Sequence, residues 1–163
     1  MTTFGEIARA VYRKDLTVLG ELTRAEANLR DEDRRTPLMH AVLADDADPR
    51  VVAVLIDRGT DVNAADGAQR WTALHFAARD GNEQLVRLLL AAGAQVDAVD
   101  VFGNTPLWRA VRNTGDGLAP MTALLHRGAD PGRKNQHGIS PLELARESGE
   151  EDVLALLERF HRP

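Results

Sequence analysis

The stretch Trp71–Asp100 reads WTALHFAARDGNEQLVRLLLAAGAQVDAVD, and its reading decides the fold. Thr72-Ala73-Leu74-His75 opens a short apolar helix that Asp80-Gly81-Asn82 breaks. Leu85 to Ala92 makes a second helix, stopped at Gly93, and Ala94 to Asp100 continues as an extended, polar-rich tail. A cassette of two short helices cannot bury its own apolar faces, so it needs similar cassettes on either side.

They are present. Thr36-Pro37-Leu38-Met39, Thr72-Ala73-Leu74-His75, Thr105-Pro106-Leu107-Trp108 and Ser140-Pro141-Leu142-Glu143 start 36, 33 and 35 residues apart. Thr or Ser caps each first helix, and Pro at the next position suits the first helical residue, where a missing N–H costs nothing. Gly59, Gly93 and Gly128 follow the second helices and supply the left-handed residue that ends them. Residues 4–30 read as a degenerate first unit. Phe4, Ile7, Ala8 and Val11 form one apolar face, Leu16, Leu19 and Leu22 another, and Lys14-Asp15 stands where Gly is expected. Two inter-helix loops, 44–50 and 113–120, run two residues long, and the hairpin at Gly67–Arg70 carries one extra residue.

These motifs resemble ankyrin repeats, whose period is about 33 residues and whose signature is Thr-Pro-Leu-His-x-Ala. The resemblance covers roughly 34–160 and, more loosely, the whole chain. It implies an all-α ankyrin-repeat α-solenoid of about five helix pairs with short projecting hairpins. The expected division of one domain, 1–163, is a capping repeat at 4–30, full repeats at 34–66, 70–100 and 101–135, and a second cap at 138–160.

Composition narrows the function. With no cysteine, disulfides and thiolate chemistry are excluded, and a reducing, cytoplasmic setting is expected. No apolar run approaches the roughly 20 residues that span a bilayer, so no membrane partner is expected. A net charge of −5 argues against a non-specific nucleic-acid binder. No cofactor is implied. Gly115-Asp116-Gly117 is too short for a phosphate loop and follows no strand. Asp45, Asp46 and Asp48 lack the Gly and later Glu of a calcium loop and read as a solvated acidic turn. The five histidines show no metal-ligand spacing, and neither serine sits in a nucleophile elbow. A small hydrolase built from His40 with Asp45, Asp46 or Asp48 is the only enzyme arrangement to consider, and it lacks convergent acid, base and oxyanion donors.

What remains is surface. The resemblance implies a non-catalytic module, by default a monomer, that meets a partner protein through hairpin tips and the exposed face of the first helices. By position the edge comprises Glu32 and Arg35, Gln69 and Trp71, Phe102 and Asn104, and His137 and Ile139, with Arg79, Asp80, Arg112 and Asn113 at helix ends. Trp71 and Phe102 read either as partner anchors or as packing on the next hairpin. Trp108, in the family's His position, reads as core. His75 is expected to hydrogen-bond the backbone of an adjacent hairpin. Arg34 and Arg70 occupy positions held by Gly103 and Gly138 in later hairpins, and Gly67 is expected to take the positive-φ conformation in their place. A stand-alone inhibitor or immunity-type protein that blocks a basic active site is the narrower alternative; a structural spacer is disfavoured.

Overall fold

The computed structural model describes residues 2–113, 115 and 117–161, and these form eleven helices and no strand. Ten helices make five pairs: α1 (Phe4–Tyr12) with α2 (Leu16–Gly20), α4 (Pro37–Leu43) with α5 (Pro49–Asp57), α6 (Ala73–Arg79) with α7 (Glu83–Ala91), α8 (Pro106–Val111) with α9 (Ala119–His126), and α10 (Pro141–Ser148) with α11 (Glu151–Phe160). The first helices pack in one row, α1–α4–α6–α8–α10, and the second helices in another, α2–α5–α7–α9–α11. This is the expected solenoid. One element was not expected. α3 (Arg24–Ala27) is a single turn, fixed by a capping box in which Thr23 Oγ1 accepts from Glu26 N and the Glu26 carboxylate accepts from Thr23 N.

The caps form as the residue types require. Thr36 Oγ1 accepts from Met39 N at 3.3 Å, Thr105 Oγ1 from Trp108 N at 3.2 Å and Ser140 Oγ from Glu143 N at 3.1 Å. Proline is the first helical residue in all three cases. Gly59, Gly93 and Gly128 end the second helices at φ of 79°, 89° and 87°. In the first pair Lys14 itself takes φ 55° at the inter-helix turn, where Gly81 takes 68°, and Asp15 caps α2. The 44–48 link between α4 and α5 is two residues longer than the 80–82 link between α6 and α7. The link after α8, 112–118, includes Thr114 and Asp116, which lie outside the described residues.

Leu74, Leu85, Leu89, Leu107 and Leu124 are fully enclosed between the rows, whereas Leu88 is only partly buried. The rows bury one continuous apolar seam, and each unit contributes surface that only its neighbours can cover. The tails between pairs are thereby held at one edge, where they form the projecting hairpins.

Candidate functional site

Each hairpin is built on one acidic or amide residue. Asp31 Oδ1 accepts from Arg35 N at 2.7 Å. Asp66 Oδ1 accepts from Gln69 N and Trp71 N, both at 3.0 Å. Asp100 Oδ1 accepts from Phe102 N at 2.8 Å and Asn104 N at 2.9 Å. Asn135 Oδ1 accepts from His137 N and Ile139 N at 2.9 and 3.0 Å. Backbone bonds then join one tip to the next: Gly67 N to Asp33 O at 2.8 Å, Val101 N to Gln69 O at 3.0 Å and Gln136 N to Phe102 O at 2.9 Å. The tips therefore form a continuous, preformed edge.

Two expectations about these hairpins need correction. Gly67 is not in the left-handed region; Arg34 and Arg70 adopt it, at φ 60° and 58°, matching 77° at both Gly103 and Gly138. The register bonds Asp31 N to Arg35 O and Asp66 N to Trp71 O close the turns around these arginines and outweigh the local strain. Gly67 instead permits a close approach, since a Cβ there would stand 3.1 Å from Asp33 O. Trp71 is not an exposed tip anchor. It is 7% exposed, lies against His75 and Phe76, and has the Arg109 guanidinium 4.4 Å above its ring. The cation and the two rings favour burial of the ring, although its Nε1–H has no hydrogen-bond partner among the described residues.

Asn104 likewise leaves the exposed edge. It is buried, its Oδ1 accepts from Asn135 Nδ2 at 2.8 Å, and its carbonyl lies 3.2 Å from His75 Nε2. His75 thus meets the adjacent hairpin as expected. Thr72 N donates to its Nδ1, so the ring proton sits on Nε2 and is donated to Asn104 O. Burial pushes this imidazole down to about 4, which keeps it neutral near pH 7.

The other edge residues remain accessible. Glu32, Gln69, Asp80, Arg112, Asn113 and His137 are exposed, and Arg35, Arg79 and Ile139 are half-buried. Phe102, at 45%, and Val101, at 37%, place an apolar knob on the third hairpin. Trp108 is half-buried rather than core: its ring lies beneath Arg109 at 5.2 Å and Arg112 at 5.7 Å. The sequence reading missed Arg109, whose Nη2 pairs with the fully enclosed Asp100 carboxylate. Burial would raise that acid, but the Arg109 bond and two backbone N–H groups hold it below its ordinary value. The recurrence of Asp31, Asp66, Asp100 and Asn135 five or six residues before each Thr or Ser was the available signal.

The considered hydrolase arrangement does not assemble. His40 Nε2 lies 2.7 Å from Asp31 Oδ2 and its Nδ1 lies 2.8 Å from Tyr12 Oη, while none of Asp45, Asp46 and Asp48 bonds to it. Asp46 pairs with Lys14, and Asp48 caps α5 and pairs with Arg50. No cluster of three or more metal-ligating side chains occurs among the described residues. No helix there is long and apolar enough to cross a membrane.

Comparison with known proteins agrees with this architecture. A family model described as ankyrin repeats (3 copies) matches residues 7–100 and 43–135. The chain is 40% identical over 111 residues to inversin of Gallus gallus, covering 66% of this chain and 10% of that protein. It is 38% identical over 120 residues to the ankyrin repeat and KH domain-containing protein mask-1 of Caenorhabditis elegans, 73% of this chain and 4% of the other. Ankyrin repeat domain-containing protein 63 of Mus musculus is 37% identical over 136 residues, 81% of this chain and 35% of its own length. The chain thus spans a minor part of each relative. The helix pairs, their caps and spacing, and these matches together place the chain in the ankyrin-repeat family.

Proposed function

We propose that this chain is a non-catalytic protein-binding module that holds a partner against its hairpin edge and first-helix ends. The observation that carries this reading is the contrast along the edge. Polar groups behind it are committed to structure, as with Asp66, Asp100, Asn104 and Asn135, whereas Phe102 projects from a tip locked by backbone bonds on both sides. A rigid apolar knob with a polar rim suits a hot spot, because ordering it on binding costs little. The polar rim is formed by Glu32, Arg35, Gln69, Arg79, Asp80, Arg112, Asn113 and His137, with the apolar Ile139 beside it. The cysteine-free sequence supports a reducing compartment such as the cytoplasm as the setting.

Crosslinked capture from native lysate with wild type and Phe102→Asp tests the reading, with circular dichroism confirming that both fold. A protein captured in stoichiometric amount by wild type and lost from the variant is the expected result. Unchanged capture, or a co-purifying small molecule with no protein, contradicts it.

A further inference from the structure

Five side chains from two repeats stack in sequence on the first-helix face. Arg79 lies 5.4 Å from the Trp71 ring, Arg109 lies 4.4 Å from Trp71 and 5.2 Å from Trp108, and Arg112 lies 5.7 Å from Trp108. The ladder runs Arg79–Trp71–Arg109–Trp108–Arg112. Its middle arginine is taken up by Asp100, and the outer two are at the solvent-facing ends of α6 and α8. Stacking on an indole uses the face of a guanidinium and leaves its N–H edge to donate. Arg79 gives two of its five N–H groups to its neighbour Asp80, an exposed pair of little energetic weight. Arg112 pairs with no acid among the described residues. The Asn113 amide donates to the Arg79 carbonyl and ties the two helix ends together.

We propose that the ends of α6 and α8 form a docking strip for an acidic segment of a protein partner in polyproline II conformation, with two carboxylates three residues apart seated on Arg79 and Arg112. The proposal rests on the protein-binding reading above and names the chemistry of its partner. Charge complementarity points to this occupant. Although the chain carries −5 overall, the ladder itself sets Arg79, Arg109 and Arg112 against Asp80 and Asp100 among the described residues, and both of these acids are already engaged. Spacing sets the register. Arg79 and Arg112 are one repeat apart, on helices that pack directly, and packed helices lie about 8–10 Å apart. Three residues of polyproline II cover about 9 Å and return the fourth side chain to the face of the first. The strip also has ends. The positions equivalent to Arg79 and Arg112 are Leu43 in α4 and Glu147 in α10, and Asp45 and Asp46 share a concavity with Arg79, so an acidic segment meets repulsion beyond either end. Guanidinium edges ordered in advance favour paired, planar carboxylate recognition.

The chain's two tryptophans, Trp71 and Trp108, both lie in the ladder, so fluorescence excited selectively at tryptophan, away from Tyr12, reads the strip. The probes are a capped peptide with Glu-Gly-Gly-Glu at its centre, one of the same composition with adjacent glutamates, and the Gln-Gly-Gly-Gln form. The spaced peptide gives a saturable change, binds at least about fivefold tighter than the adjacent form, and weakens as salt rises. Arg112→Glu weakens it by about tenfold or more, while Arg87→Glu, on the other helix row, leaves it unchanged. Equal binding of the adjacent or glutamine peptide, or intact binding to Arg112→Glu, overturns the proposal, as does absence of saturable binding. Oligothymidylate of matched charge binding as tightly overturns the carboxylate assignment. If the peptides fail while Phe102→Asp still loses a captured protein, the strip alone is refuted; if no protein is captured at all, the broader reading is.

Discussion

Asp97→Asn should stabilise the protein, and the reason is visible in the neighbouring repeats. Asn28, Asn63 and Asp97 occupy equivalent places, three residues before Asp31, Asp66 and Asp100. Each accepts from a backbone N–H one repeat later: Asn28 from Asp61 at 2.7 Å, Asn63 from Gln95 at 2.8 Å, Asp97 from Asp130 at 3.2 and 3.3 Å. The two amides also donate, Asn28 Nδ2 to Gly59 O at 3.0 Å and Asn63 Nδ2 to Gly93 O at 3.2 Å. Asp97 carries no such donor for the equivalent Gly128 carbonyl when ionised. Burial pushes its carboxyl up from the ordinary value, against backbone donation from Asp130 and attraction from Arg133. An asparagine keeps the acceptor, adds the donor and removes the half-buried charge. One net hydrogen bond is worth about 0.5–1.5 kcal/mol. The lost attraction to Arg133 takes back a few tenths. For a chain of this size a gain of about 1 kcal/mol raises Tm by about 2–4 °C. Thermal and urea unfolding of both proteins at pH 7 measure it. The sign with pH follows from the raised value: protonated Asp97 favours the fold, so the wild type recovers ground as pH falls through that value and the gap narrows in acid. A variant less stable than wild type at pH 7, or a gap independent of pH, refutes the ladder argument.

Other changes test the same account. His75, lowered from its ordinary 6.5 to about 4, gives stability that is fully present above pH 6.5 and lost as pH falls toward 4. Across that window the loss is roughly 3 kcal/mol, visible in urea midpoints and flattened in His75→Gln. Arg34→Gly and Arg70→Gly should each stabilise by about 1 kcal/mol, because they relieve left-handed backbone at a residue with a Cβ; unchanged midpoints would contradict the strain. Asp100→Asn should cost about 3 kcal/mol by leaving the half-enclosed Arg109 without its acid. Pairing it with Arg109→Leu should restore most of that, and a double variant as unstable as the single would argue against an isolated charge as the cause.

The helix pairs were legible because their signals are local. Thr36-Pro37, Thr105-Pro106 and Ser140-Pro141 set caps within three residues, and Gly59, Gly93 and Gly128 end helices by backbone freedom alone. α3 carries the same kind of local signal, the Thr23-x-x-Glu26 capping box, yet the sequence reading did not expect it. The burial of Trp71 was not, because it depends on Arg109, 38 residues away, reaching back from the next repeat. The conformations of Arg34 and Arg70 were hidden for a related reason: local propensity disfavours them, and the hydrogen bonds that impose them lie across the hairpin. The hairpin edge was therefore readable as a location, while which of its residues are exposed required the packing. Phe102 stayed outside, and Trp71 and Asn104 went in.

The most direct test of a binding edge is amide hydrogen exchange of the chain alone and bound to its captured partner. The account predicts added protection at the 100–104 and 66–70 hairpins and at the ends of α6 and α8, with α5, α7 and α9 unchanged. Protection on α5, α7 and α9, with the hairpins and first-helix ends unaffected, would contradict it.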